Sequence, residues 1–154
     1  MAKNNRTQYN DKGIFKEYDY KQIVDFGKVF LDATKKCNKP NISSVGWSHP
    51  LLVPIITNMA FSCELFLKAI LKHDNNDTKK TKTHNLKDLF NGLQENIKSE
   101  IMKPYNEEDF MAKLENISNL FMEWRYLYER HLGSVEYNFL CDFSEKLLEI
   151  VDNM

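Results

Sequence analysis

The stretch IITNMAFSCELFLKAILKH, residues 55–73, decides the fold of this chain. Its apolar residues cover nearly the full circumference of a helix, whereas a helix on a protein surface is apolar along one stripe only. It therefore predicts a central helix that other helices enclose. Glu64 and Lys68 interrupt the apolar pattern four residues apart, in the order that stabilises a helix, so we expect a structural ion pair between them.

The segments around this central helix predict four more helices. Each begins at a polar residue whose side chain can accept from first-turn amides, and these caps are Asp19, Asn85, Asn106 and Ser134. Gln22 completes a capping box with Asp19, and Gly27 in the same helix indicates a close approach to a neighbour. The third helix ends before Pro104, and the fourth continues to His131.

No segment alternates like a strand, and the chain contains neither an internal repeat nor a low-complexity tract. The sequence thus predicts an all-α fold, an up-and-down four-helix bundle with an additional helix. The 154 residues, 42% of them hydrophobic, suffice for one domain with one core. Residues 1–12 are polar and predict a flexible arm, and 13–154 form the single helical domain.

Charge and cysteine content limit the function classes. A formal net charge of −1 argues against a surface that binds a polyanion everywhere, so any nucleic-acid contact must be local. Cys37, Cys63 and Cys141 are odd in number and widely spaced, which favours free thiols in a reducing cytoplasm. Residues 1–12 are polar and lack the apolar core of a signal peptide, and no run approaches the roughly 18 apolar residues that span a bilayer, so we expect a soluble chain that is not exported and makes no membrane contact.

Candidate chemistry is concentrated in LFMEWRYLYERH, residues 120–131. A heptad-like seam runs through the predicted fourth helix and ends in a histidine; its members are Phe110, Leu114, Ile117, Phe121, Trp124, Tyr128 and His131. In a structural interpretation, Arg125 pairs with Glu129 or with an acid of a neighbouring helix, for instance Glu64, and the cation of His131 suits the negative end of the helix dipole. In a functional interpretation, Arg125 and His131 form a site.

On one straight helix the two residues would be separated by about 9 Å of rise and about 120° of rotation. A shared site therefore requires that the helix end near Gly133, or that a second subunit contribute its own copies.

Other motifs are weak or missing. The sequence has no glycine-rich phosphate loop, no Cys or His pair at zinc spacing and no Glu-x-x-His, so we predict neither a metal nor a cofactor. Lys79, Lys80 and Lys82 suit a solvated connection, although they could also touch a phosphate backbone.

Three pieces together resemble the HEPN superfamily, the all-α "higher eukaryotes and prokaryotes nucleotide-binding" domains. The segment CELFLKAIL, residues 63–71, resembles the central helix of the family, with Glu64 and Lys68 in the expected places. The segment HNLKDL, residues 84–89, resembles the family's His-Asp-Leu-x-x-Leu, with Asn85 in place of the aspartate. Arg125, five intervening residues and His131 fit its Arg-x(4–6)-His ribonuclease motif.

The resemblance implies a homodimer in which two Arg-His pairs face a shared cleft, and RNA cleavage without a metal. His131 would handle the proton of the attacking 2′-hydroxyl or of the leaving oxygen, and Arg125 would stabilise charge on the phosphate. The residues that would hold the RNA are Arg130, Tyr126, Tyr128 and Glu129. Such proteins include toxins and antiviral effectors.

A second hypothesis from the same resemblance is a non-catalytic dimeric module. Active members usually carry a polar residue directly after the arginine, and this chain has Tyr126 there. Many members have lost catalysis and act as partners of nucleotidyltransferases or as regulatory modules. The chain would then bind RNA, a nucleotide or a partner protein through the same cleft.

Overall fold

Every regular element of the described structure is helical. A computed structural model describes residues 18–37, 51–75, 80–126 and 135–154. Its α-helices are α1 (Tyr20–Cys37), α2 (Leu52–Asn75), α3 (Leu86–Asn91), α4 (Glu95–Met102), α5 (Glu107–Ile117), α6 (Leu120–Arg125) and α7 (Tyr137–Asp152), and a short 3-10 turn spans Lys80–Lys82. These ranges contain no strand, which confirms the prediction of an all-α fold.

Helix α2 is the centre of the core, as its apolar circumference predicts. It packs against α1, α3, α6 and α7. Its side chains are buried over most of its length, and Phe66, Leu67 and Ile70 are fully enclosed. The other helices each place one apolar stripe on it or on each other, as Leu140, Phe143, Leu147 and Val151 do in α7.

One expectation about this helix needs correction. The segment Leu52–Asp74 is long and apolar enough to span a bilayer, and 61% of its 18-residue apolar window is buried inside the protein. Length and composition alone therefore do not separate this buried core helix from a membrane span.

Helix α1 begins and packs as the sequence predicts. The Gln22 amide donates to Asp19 Oδ1 at 2.9 Å, and the Asp19 amide donates to Gln22 Oε1 at 3.0 Å, which completes the capping box. A Cβ added at Gly27 would lie 2.6 Å from Phe66 Cε1 of α2. The Ser62 hydroxyl donates to the Gly27 carbonyl at 2.8 Å. The absence of a side chain at Gly27 therefore sets the distance between α1 and α2.

The predicted third helix is wrong in its length. It begins as expected at its Asn85 cap, but it stops at Asn91, and α4 starts after Gln94. Glycine lowers helix propensity by about 1 kcal/mol relative to alanine. Gly92 closes α3 with hydrogen bonds from its N–H to the carbonyls of Asp88 and Leu89.

The predicted fourth helix is also interrupted. It begins at its Asn106 cap, where the Asp109 amide donates to Asn106 Oδ1 at 2.8 Å, but α5 ends at Ile117. The Ser118 carbonyl accepts from the Leu86 amide of α3 at 3.0 Å, which diverts it from the continuing helix. Helix α6 then ends at Arg125 rather than at His131, and α7 begins after Glu136 rather than after the predicted Ser134 cap.

Candidate functional site

A buried carboxylate on the central helix anchors the candidate site. The Glu64 side chain is 1% exposed, and its Oε1 accepts from Lys68 Nζ at 2.7 Å and from His84 Nδ1 at 2.9 Å. Glu64 Oε2 is buried and has no hydrogen-bond partner within the described ranges. The structure thus contains the predicted Glu64–Lys68 pair and adds a histidine that is distant in sequence.

His84 presents its other ring nitrogen away from this carboxylate. Its side chain is 52% exposed, although Nδ1 is engaged by Glu64. A carboxylate only accepts hydrogen bonds, so Nδ1 carries the proton in this pair. Nε2 can therefore accept a proton from a ligand, or donate one once the ring is charged.

The backbone at His84 is fixed by the cap of α3. The Asp88 amide donates to Asn85 Oδ1 at 2.9 Å, and Asn85 Nδ2 donates to Asn119 Oδ1 at 3.0 Å. The second contact ties the start of α3 to the corner between α5 and α6. His84, which precedes the cap, is thereby held next to α6.

Phe121 of α6 connects His84 with Arg125. The Phe121 ring stacks on Phe61 of α2 at a centroid distance of 4.4 Å and an interplanar angle of 14°. The centroid of the His84 ring lies 6.2 Å from the same ring, and Arg125 Cζ lies over it at 4.7 Å. One aromatic side chain therefore brings together an imidazole and a guanidinium.

Arg125 is exposed at the last turn of α6. Its Cζ also lies 5.4 Å from the ring centroid of Tyr126, a side chain that is 42% exposed. No carboxylate in the part of the chain that the structure describes lies within ion-pair distance of Arg125. The predicted alternative in which Arg125 pairs with Glu64 is wrong, because Glu64 is engaged by Lys68 and His84 instead.

The remaining predicted site residues lie outside the described residues. These are Tyr128, Glu129, Arg130 and His131. The pairing of Arg125 with Glu129 and the shared site of Arg125 and His131 therefore stay predictions.

Sequence reasoning missed the role of His84 as the partner of Glu64. From the sequence, His84 is identified only as the first residue of HNLKDL. Its hydrogen bond to Glu64 connects residues 20 positions apart, which local patterns do not reveal. The available signals were a polar pair on an otherwise apolar helix and a histidine next to a helix cap. Neither signal specifies which residue meets the buried carboxylate.

Metal and thiol chemistry find little support in the described ranges. No three His, Cys, Asp or Glu residues of those ranges lie close enough together to hold a metal ion. The three cysteines are free, as predicted, and burial raises the pKa of the Cys63 thiol. A buried thiol that resists ionisation is a poor nucleophile. The chemistry available in this region is therefore acid–base chemistry at Glu64 and His84 and charge stabilisation at Arg125.

Comparison with protein-family models, with curated proteins and with solved structures yields no match to this chain.

Proposed function

We propose that this chain is a HEPN-like, RNA-directed protein, a metal-independent endoribonuclease of a toxin or antiviral defence system. In this proposal the helices form the family's up-and-down four-helix bundle with an additional helix, and two copies pair in the cytoplasm. The observation that carries the proposal is the exposed Arg125 guanidinium lying over the Phe121 ring, beside an imidazole.

The Arg125 geometry suits a phosphate ligand. A guanidinium stacked on an aromatic ring presents its N–H groups at its edge, where they match two phosphate oxygens at once. In Arg125, Nη2 donates to the Tyr126 hydroxyl at 3.5 Å, a long contact that a phosphate oxygen could replace. Stacking also restricts the side chain before the ligand arrives, which lowers the entropy cost of binding. Arg125 would stabilise the charge that develops on the phosphate during cleavage.

The proposed division of roles follows from this arrangement. His131 exchanges a proton with the attacking 2′-hydroxyl or with the leaving oxygen, because an imidazole titrates near neutral pH. Tyr126, exposed beside Arg125, offers a face on which an unpaired base can stack. Tyr128, Glu129 and Arg130 complete the RNA contacts.

A second candidate function is a non-catalytic module that binds RNA, a nucleotide or a partner protein such as a nucleotidyltransferase. The exposed apolar side chains next to Arg125 favour it, since Met122 and Tyr126 are 37% and 42% exposed. An aromatic and aliphatic surface around one cation holds a ligand without any need for chemistry.

The decisive experiment is RNA cleavage in the presence of a chelator. End-labelled single-stranded and structured RNAs are incubated with the wild type, Arg125→Ala and His131→Ala. We expect cleavage by the wild type, and a loss of roughly 10²-fold or more in each variant, as is typical when a charge-stabilising or proton-transferring group is removed.

Lys113→Ala is the matched control. Lys113 Nζ also lies over an aromatic ring, that of Tyr105, at 5.2 Å, but on α5 and apart from Phe121. This variant should cleave like the wild type. If the wild type cuts nothing, or if the two site variants cut equally well, the ribonuclease proposal is wrong. RNA binding that Arg125→Ala weakens, without any cleavage by the wild type, would support the non-catalytic module instead.

The oligomeric state is a separate test of the shared cleft. Light scattering coupled to size-exclusion chromatography at micromolar concentration should give twice the mass of one chain. A strict monomer would contradict the two-subunit site.

A further inference from the structure

Cleavage of RNA by its own 2′-hydroxyl requires two proton transfers. The 2′ oxygen forms a bond to phosphorus, the bond from phosphorus to the 5′ oxygen breaks, and the products are a 2′,3′-cyclic phosphate and a free 5′-hydroxyl. One proton leaves the 2′-hydroxyl and one joins the 5′ oxygen. The function proposed above assigns only one of these transfers, to His131.

His84 has the surroundings of a proton-transfer group. A carboxylate on one nitrogen of an imidazole fixes the ring orientation and the tautomer, so that the other nitrogen faces the reacting atoms. Glu64 accepts a 2.9 Å hydrogen bond from His84 Nδ1, which leaves Nε2 as the nitrogen available to a ligand on a side chain that is about half exposed. Because Glu64 is buried and also paired with Lys68, its side chain has little freedom to turn away.

The location of His84 distinguishes it from the other histidine within the described ranges. His73 forms a similar pair, with its Nδ1 3.0 Å from Asp74 Oδ1, but its ring packs against Tyr20 of α1. His84 instead lies beside Phe121, over which Arg125 is placed. Of these two histidines, His84 is therefore the one that shares an aromatic neighbour with the proposed phosphate-binding cation.

We propose that His84 is a second proton-transfer residue of this site and that Glu64 is its positioning residue. The proposal rests on the proposed ribonuclease function. His84 Nε2 carries out one of the two transfers, so the proton lost by the 2′-hydroxyl and the proton gained by the leaving oxygen do not both have to pass through one group. Glu64 of α2 contacts His84 directly, Lys68 of α2 shares the Glu64 carboxylate, and Arg125 of α6 lies over the Phe121 ring beside His84.

The test is a His84→Asn variant compared with His73→Asn. An asparagine amide at position 84 takes the place of Nδ1 and still donates to Glu64, but it removes Nε2. The matched change at His73 alters the same kind of histidine–carboxylate pair. His73 lies about 13 Å from Glu64 along the axis of α2, given the rise per residue of a helix. Both variants are first checked for an unchanged melting temperature.

The measurement is kcat and KM for RNA cleavage from about pH 5 to pH 9 with a chelator present. For His84→Asn we expect a loss of roughly 10²- to 10⁴-fold in kcat, a smaller change in KM, and the disappearance of one limb of the bell-shaped pH profile. His73→Asn should retain both limbs and the wild-type kcat.

A measurement on the wild type covers the case in which His84→Asn does not fold. An RNA oligonucleotide with a 2′-O-methyl group at the cleavage position binds without reacting. Adding it should shift the ring-nitrogen NMR signals of His84 and leave those of His73 in place. Unchanged His84 signals in the bound protein would overturn the proposal.

The kinetic outcomes separate the two proposals. If the wild type cleaves and His84→Asn cleaves equally fast with both pH limbs, the role of His84 is wrong and the ribonuclease function stands. If His84→Asn raises KM without changing kcat, His84 is a binding residue and its role in proton transfer is wrong. Equal losses of kcat in His84→Asn and His73→Asn would also overturn that role. If the wild type cleaves no RNA at any pH, the proposed function fails and the role of His84 falls with it.

Discussion

Replacing Gly27 with alanine should destabilise the protein, although alanine is the better helix former. The added Cβ would lie 2.6 Å and 2.8 Å from two carbons of the Phe66 ring, whereas carbon atoms in contact are separated by about 3.5–4.0 Å. Phe66 is fully buried, so its ring cannot move aside into solvent and can relax only by displacing other core side chains. Helix α1 is also held to α2 by the hydrogen bond from Ser62 to the Gly27 carbonyl.

The size of the effect follows from two opposing terms. Alanine gains about 1 kcal/mol over glycine inside a helix. Overpacking a tight core costs about 1–3 kcal/mol, and the short contacts here favour the upper part of that range. We therefore expect Gly27→Ala to lower the free energy of unfolding by about 1–2 kcal/mol, which reduces the melting temperature by roughly 2–4 °C per kcal/mol in a domain of this size.

The assay is guanidinium denaturation of a double-mutant cycle. Leucine at position 66 removes the ring, so Gly27→Ala in the Phe66→Leu background should be neutral or stabilising, with a coupling of about 1–3 kcal/mol. Val29→Ala, at a position that is 64% exposed on the same helix, is the control and should change stability by less than about 0.5 kcal/mol. Additive effects at Gly27 and Phe66 would refute the close approach of α1 and α2.

Three further predictions concern caps, pH and thiol reactivity. Asn85→Ala should cost about 1 kcal/mol in chemical denaturation because α3 loses its cap, and Asn85→Asp should cost less because aspartate still accepts from the helix. Hydrogen bonds from Lys103 and Lys146 lower the pKa of Glu100 to about 2, so its contribution is present above the ordinary carboxyl pKa near 4.3 and is lost as the pH falls towards 2. Glu100→Gln should accordingly flatten the decline of denaturation midpoints over that interval, and parallel declines in both proteins would contradict the assignment. Burial raises the pKa of the Cys63 thiol, so a thiol reagent followed by mass spectrometry should leave Cys63 unlabelled in native protein and labelled in denaturant.

Features set by local sequence could be predicted. The apolar circumference of α2 and the capping box of Asp19 and Gln22 are complete within a few residues of chain, and the structure contains both. The same holds for the Asn85 and Asn106 caps and for the close approach at Gly27. For the caps, the physical cause and its effect are neighbours in sequence. For α2 and for Gly27, the helix's own composition indicates burial or a close approach, but it does not specify the partner, which for Gly27 is Phe66 of α2.

Features set by contacts between distant segments could not be predicted. The heptad-like seam continues past Ser118, and nothing near Ser118 indicates that its carbonyl bonds to Leu86, which lies 32 positions earlier. The second partner of Glu64, His84, is likewise 20 positions away, whereas the predicted partner Lys68 is on the same helix. Periodicity fixes which face of a helix is buried, but it does not specify which polar group from another segment meets a group on that face.

The hydrogen bond from the Leu86 amide to the Ser118 carbonyl makes one peptide group a reporter for a whole corner of the protein. Leu86 is the first residue of α3, where amides normally have no partner inside their own helix and exchange with solvent quickly. This amide instead donates to the Ser118 carbonyl at the end of α5, at 3.0 Å. Its exchange with deuterium therefore requires that α3 separate from the corner between α5 and α6, and its protection measures the free energy of that opening. The same motion would part His84 from Phe121, so the exchange rate of a single N–H follows the integrity of the candidate site.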